Sequence, residues 1–87
     1  MTSFKDTQRA DGVGFLYRSC FAVARGELDL GQEFLATAAK KLPPFFDKNI
    51  GALVKNRKML LAENSLYWAE KILDEYKKQL LFLRGTA

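Results

Sequence analysis

The sequence contains no histidine, one cysteine (Cys20) and only two prolines, which lie side by side at Pro43 and Pro44. Without histidine, the chain lacks the commonest general base near neutral pH and the commonest protein metal ligand. A single cysteine excludes an internal disulfide, so nothing in the sequence points to an oxidising compartment. We therefore expect a non-enzyme with no catalytic residue, no bound metal and no cofactor.

Two further signatures of chemistry are missing, a glycine-rich phosphate-binding loop and a pair of closely spaced cysteines. The carboxylates of Glu70 and Asp74 lie one helical turn apart, but lysines accompany them, as is typical of a solvated helix face. Cys20 falls within an apolar stripe, where a cysteine is usually a small buried side chain rather than a nucleophile. None of these residues predicts a catalytic site.

Long apolar runs are also absent, because no stretch approaches the ~18–20 residues that span a bilayer. The best candidate for a secretory signal, residues 13–24, is interrupted by Arg18. A signal peptide needs an unbroken apolar core after a basic region. We therefore expect a soluble, cytoplasmic protein with no membrane span.

What the chain does contain is typical of a folded domain. Its 87 residues are 48% hydrophobic and include seven Phe, three Tyr and one Trp, whereas disordered chains are poor in aromatic residues. A chain of this length forms one core, so we expect a single domain over residues 1–87. The predicted fold class is all-α, a small helical bundle in which a short N-terminal hairpin packs on a long C-terminal helix.

Apolar residues recur at three- and four-residue spacing in the first half of the chain, as on one face of a helix. Gly26 predicts the end of the first helix, and Asp29 followed by Gln32 resembles a capping box that begins the second. The second helix ends before Pro43, because the residue preceding a proline is pushed out of the α region. These signals predict a helical hairpin over about 10–42. Its apolar faces comprise Val13, Leu16, Tyr17, Cys20, Val23 and Ala24 in the first helix and Leu30, Phe34, Ala38 and Leu42 in the second.

A heptad pattern runs through the C-terminal half and resembles a coiled coil. After a proline turn at 43–45, it favours one long helix over about 46–84. The alternative is two shorter helices with a break near Asn64, but the sequence after Asn64-Ser65 lacks the Glu or Gln that completes a capping box. The a and d positions are Leu66, Ala69, Leu73, Tyr76, Leu80 and Leu83.

The predicted long helix implies a partner. A helix of ~38 residues is ~57 Å long, whereas each hairpin helix of ~14 residues is ~21 Å long, so the hairpin cannot cover it. An apolar stripe left in water would be unusually large for a monomer, and a second copy or a helical protein partner would cover it. The predicted partner-binding residues are Leu73, Tyr76, Leu80, Phe82 and Leu83.

The net charge of +4 is unevenly distributed. Residues 40–58 contain six basic residues and one acidic residue, a local charge of +5, which leaves the rest of the chain at −1. This segment is a solvated face or a patch for an acidic protein partner, a nucleic acid or an anionic membrane surface. Its basic residues are Lys40, Lys41, Lys48, Lys55, Arg57 and Lys58.

The C-terminal helix has the opposite charge on its predicted outward side, where Glu63, Glu70, Asp74 and Glu75 lie. Antiparallel pairing of two copies would set this side against residues 40–58 of the other copy. The sequence therefore predicts a non-enzymatic interaction or assembly module that self-associates through its C-terminal helix and forms a homodimer. The alternative function is a small basic nucleic-acid-binding protein that uses the 40–58 patch.

Overall fold

The computed structural model describes the backbone of residues 4–83 and the side chains of residues 7–83. Within that range the chain is all-α, as predicted, and it contains no strand. Helix α1 packs against both α2 and α4, while α3 packs beside α2. The elements are α1 (Phe4–Ala24), α2 (Leu28–Lys41), α3 (Lys48–Lys55), two 3-10 turns (Arg57–Met59 and Ala62–Asn64) and α4 (Ser65–Leu83).

The turn between α1 and α2 depends on Gly26, which takes a φ of +83° as its predicted position at the helix end requires. The amide of Gly26 donates to the Val23 carbonyl at 3.0 Å, and the next amide, of Glu27, donates to Ala22 at 2.8 Å. The predicted capping box is wrong, because α2 begins at Leu28 and no side chain caps its first turn. Asp29 is instead paired with an arginine from another part of the chain.

A glycine brings the two helices of the hairpin close together. The Ser19 hydroxyl donates to the Gly31 carbonyl at 2.7 Å. A Cβ atom placed on Gly31 would lie 2.5 Å from a methyl carbon of Val23, closer than two carbon atoms can approach. Gly31 therefore permits a close contact between α1 and α2. The buried faces pass through Leu16, Ser19 and Val23 in α1 and through Gly31, Leu35 and Ala38 in α2. Tyr17, Ala24 and Leu30, which were predicted on the buried faces, lie beside them and are exposed.

The prediction of one long C-terminal helix is wrong, and the alternative of two shorter helices with a break near Asn64 is confirmed. The chain leaves the α-helical conformation at Asn56 and resumes it at Ser65. The Asn56 side chain accepts from the Lys58 amide at 3.2 Å, and the Asn64 side chain accepts from the Leu61 amide at 2.8 Å. Asparagine competes with helix formation through such local bonds. Leu60, between the two turns, is fully buried and gives the break an apolar anchor in the core.

The buried face of α4 lies one residue before the predicted heptad positions. Leu66, predicted at position a, is 68% exposed, and Glu75, predicted on the outward side, is only 1% exposed. The pattern of apolar residues predicts the wrong buried face of α4, because two of the buried positions are polar. These are Glu75 and Gln79, which are hydrogen-bonded to each other. The buried residues of α4 are Ser65, Trp68, Ala69, Ile72, Glu75 and Gln79.

Candidate functional site

An open groove of about 550 Å³ runs beside α3. Lys48 and Lys55 line it, with Gly51 and Ala52 between them on the same face of the helix. A Cβ atom placed on Gly51 would meet no heavy atom within 4 Å, so the space above it is empty of protein. The remaining apolar lining comes from the end of α2, the proline turn and α3, namely Ala39, Pro43, Pro44, Phe45 and Val54.

Asp47 begins α3 at one end of this groove. Its side chain accepts from the Asn49 amide at 2.8 Å, as expected of an N-cap residue that satisfies a free amide of the first turn. Asp47 is the one acidic residue of the 40–58 segment and also the one acidic residue of the groove lining. Its carboxylate is therefore engaged with the helix terminus, beside two lysines.

Glu75 of α4 holds the turn that precedes α3. One carboxylate oxygen accepts from the Phe46 amide at 3.0 Å and from the Gln79 side-chain amide at 2.8 Å, and the other accepts from the Asp47 amide at 3.0 Å. Hydrogen bonds to a carboxylate are stronger than those between neutral groups. Sequence reasoning missed this role, although the shared spacing of Glu75 and Gln79 with Ile72 was a signal that they occupy the buried face.

The opposite end of α3 is held from α2. The Gln32 side-chain amide donates to the carbonyl oxygens of Leu53 and Val54, at 3.3 and 3.1 Å. These carbonyls belong to the last turn of α3 and lack partners within the helix. Polar side chains from two other helices therefore fix both ends of α3, and the groove beside it is held in place by the fold.

The structure brings only part of the predicted basic patch to the groove. Lys48 and Lys55 line it, and both are exposed. Arg57 forms its contacts within the chain. Its Nε atom lies 2.7 Å from the Asp29 carboxylate, and another guanidinium nitrogen donates to the Leu60 carbonyl at 2.6 Å. Outside the groove lining, the remaining basic residues are exposed at Lys40 and Lys58 and half-buried at Lys41.

Most of the predicted hydrophobic partner-binding surface packs within the chain. Tyr76, Leu80 and Leu83 pack against the core, and the Tyr76 ring lies 5.2 Å from the ring of Tyr17 on α1. Leu73 is half-buried. This part of α4 therefore faces its own neighbours rather than forming a continuous outward stripe.

Phe82 is different, because its side chain is 52% exposed near the end of α4. Its ring lies 6.3 Å from the ring of Phe46, which follows the proline turn, and the Arg9 guanidinium lies 5.3 Å above it. These contacts cover part of the ring and leave the rest open to solvent.

The outward side of α4 carries four exposed large apolar side chains. At 3.6 residues per turn they lie within an arc of about 160° around the helix axis. Acidic residues share this side near the start of the helix, so that residues 62–74 contain three acidic residues and one lysine, a local charge of −2. The four apolar residues are Leu66, Tyr67, Leu81 and Phe82.

Cys20 belongs to α1, and its side chain faces α4, where the thiol donates to the Ala69 carbonyl at 3.3 Å. Burial raises the pKa of the Cys20 thiol above its ordinary value, because the uncharged form is favoured away from water. The thiol form is therefore held at neutral pH, in keeping with a packing role.

Among the side chains of residues 7–83, no group of three or more metal-ligating residues is placed to hold an ion. No helix described in that range has both the length and the hydropathy of a membrane span. Comparisons of the chain with protein-family models, with curated proteins and with solved structures found no match. Support for a function therefore comes from the surfaces of this chain.

Proposed function

We propose that the chain is a non-enzymatic interaction module that self-associates through the outward side of α4. The observation that carries this proposal is the exposure of Leu66, Tyr67, Leu81 and Phe82 on one side of a single helix. They form two adjacent pairs, Leu66 with Tyr67 and Leu81 with Phe82, ~22 Å apart along the helix. Exposed apolar side chains that share one side of a helix are typical of interaction surfaces, because association removes them from water.

The basis for self-association differs from the one that the sequence predicts. Helix α4 has 19 residues and α1 has 21, so they are ~29 and ~32 Å long and α1 can cover α4 along its length. No length of helix is left over for a partner to cover. The free surface is instead the side of α4 that faces away from α1.

Apolar burial alone is a modest driving force here. Fully burying one large apolar side chain contributes about 2 kcal/mol, and these four are between 51% and 68% exposed, so the remaining gain is about 4–5 kcal/mol. Association costs at least about 4 kcal/mol in lost translational and rotational freedom. A stable complex therefore needs further favourable contacts, for which complementary charge is the available source.

Nucleic-acid binding through residues 40–58 is the alternative, and it has less support. A phosphate backbone is bound by cationic and polar groups along its path. The two lysines of the groove flank an apolar floor, and Arg57 is held by Asp29 within the chain. An apolar floor between cations is better suited to a protein helix with acidic and apolar side chains.

Light scattering coupled to size-exclusion chromatography tests the proposal from micromolar to millimolar concentration. We expect the mass to rise above the 9.9 kDa of one chain as concentration increases. Leu66→Ala should weaken association, because it removes an exposed apolar side chain of α4, and Leu30→Ala on α2 is the matched control. A mass of 9.9 kDa that never changes with concentration would contradict self-association, and equal losses in the two variants would contradict the assignment to α4.

A further inference from the structure

The groove beside α3 provides the surface that a second copy would occupy, an inference that rests on the self-association proposed above. We propose that the groove binds the start of α4 from a second copy. Leu66 of that copy enters the groove between the two lysines of the first. Glu63 and Glu70 of the second copy then lie against Lys48 and Lys55 of the first.

The spacing of the charges is the first argument. Lys48 and Lys55 are seven residues apart on α3, which places them ~10.5 Å apart and almost in line along one face. Glu63 and Glu70 are also seven residues apart, and the 3-10 turn that contains Glu63 leads directly into α4. A 3-10 turn rises ~2.0 Å per residue, so Glu63 and Glu70 are separated by slightly more than the two lysines. The two separations are close enough for the flexible side chains of both ion pairs to meet, whichever way the docked helix runs.

The shape of the groove is the second argument. Gly51 and Ala52, the two smallest residue types, lie between the lysines, and the space above Gly51 is empty of protein. Leu66 lies between Glu63 and Glu70 and is the most exposed large apolar side chain among residues 7–83. An apolar side chain flanked by carboxylates therefore meets an apolar depression flanked by ammonium groups.

The third argument is that these charges are free to pair. Lys48, Lys55, Glu63 and Glu70 are all exposed, and none of them forms a salt bridge within the described part of the chain. The carboxylate of Asp47 is engaged at the start of α3. Complementary charge between two surfaces accelerates encounter and sets the register of the complex.

Each copy carries one groove and one α4, so the contact joins two different surfaces. A two-fold pair makes the contact twice and closes into a dimer, whereas other rotations give larger closed rings or open filaments. We expect the closed dimer, because it satisfies both grooves at once.

Reciprocal charge reversal tests this contact. The variant Lys48→Glu/Lys55→Glu and the variant Glu63→Lys/Glu70→Lys should each self-associate about tenfold more weakly than the original chain, since each opposes like charges. An equimolar mixture of the two variants should restore association. The acidic α4 of the first variant fits the unchanged basic groove of the second, and the basic α4 of the second fits the acidic groove of the first. Sedimentation velocity on the separate and mixed variants measures both effects.

Blocking the groove is the independent test. Gly51→Phe should fill the space that Leu66 enters and abolish association, while Gly51→Ala should leave it unchanged. Circular dichroism checks that both variants fold, which we expect of Gly51→Ala because its added Cβ meets no neighbour. Association of the original chain should also weaken as salt is raised, because the paired charges lie at the surface.

The possible results separate this contact from the proposed function. If the original chain associates but charge reversal and Gly51→Phe leave its affinity unchanged, self-association stands and the groove contact is overturned. If the original chain is monomeric throughout, both are overturned. If it is monomeric and binds a DNA or RNA duplex in a salt-dependent way that Lys48→Glu/Lys55→Glu abolishes, nucleic-acid binding replaces both.

Discussion

The helical hairpin and the segment that follows it, residues 43–64, are held in different ways. In the hairpin, Gly31 allows two helices to approach until Val23 fills the space that a side chain would occupy. Shape is the main requirement there, because helical backbones already bond their own amides and carbonyls.

Residues 43–64 leave regular structure several times, and their exposed backbone groups are bonded by side chains from elsewhere. Glu75 accepts from the amides of Phe46 and Asp47, which follow the proline turn, and Gln32 donates to the carbonyls of Leu53 and Val54 near the end of α3. The indole of Trp68 donates to the Met59 carbonyl at 3.2 Å. The comparison shows that the regular region depends on close packing and the irregular region on polar side chains contributed by α2 and α4.

The largest expected effect comes from removing the carboxylate that holds the proline turn. Glu75→Ala should lower the free energy of unfolding by about 3 kcal/mol, because two part-buried amides and the buried Gln79 side chain lose their acceptor. Urea denaturation measures the loss. Glu70→Ala, which removes an exposed carboxylate from the same helix, should change stability by less than about 0.5 kcal/mol. Equal effects in the two variants would contradict the anchoring role of Glu75.

In the hairpin, the corresponding change is Gly31→Ala. The added methyl group collides with Val23, and crowding of this kind costs about 1–3 kcal/mol, which exceeds the ~1 kcal/mol gained from better helix propensity. We therefore expect a net loss of about 1 kcal/mol in thermal or urea unfolding. Gly14→Ala is the control, because its Cβ meets nothing within 4 Å and should stabilise α1 by about 0.5–1 kcal/mol. The close-approach explanation predicts opposite signs for the two glycines, and a gain at both would contradict it.

The helix cap of α3 gives a smaller effect in the irregular region. Asp47→Ala should cost about 1 kcal/mol, because the Asn49 amide loses its partner. Asp47→Asn keeps a side-chain oxygen at the cap and should retain most of the stability. Hydrogen exchange at the Asn49 amide should accelerate in the first variant far more than in the second. Similar exchange in both would show that the cap is not the source of the protection.

The smallest effect on stability is expected at Cys20 of α1, whose thiol contacts α4. Burial raises its pKa in the folded chain, so the stability associated with the uncharged thiol is present below the ordinary thiol pKa of ~8.5 and is lost as pH rises above it. At mildly alkaline pH the folded chain should react with a thiol reagent more slowly than the urea-unfolded chain does. Equal rates would contradict the protected position of the thiol. Cys20→Ala should remove this contribution to the alkaline decline in stability.

Part of the candidate site was predictable from the sequence. The charge concentrated at 40–58 identifies Lys48 and Lys55, and their seven-residue spacing places them on one helical face. The groove itself was not predictable, because its lining comes from α2, the proline turn and α3. The role of Arg57 was not predictable either. Only the fold reveals that its guanidinium donates to Asp29, a residue 28 positions away.

Local signals in the sequence are enough to establish the all-α class, the turn at Gly26 and the end of α2 before Pro43, because helix periodicity, positive φ and the missing proline amide act over a few residues. Only the tertiary structure decides that α4 begins at Ser65 and buries Glu75 rather than Leu66. A buried carboxylate is stable only when hydrogen-bond donors satisfy it, and the backbone donors to Glu75 are the amides of Phe46 and Asp47, just before α3. The hydrophobic pattern of α4 alone cannot reveal these hydrogen bonds, because their donors lie on another part of the chain.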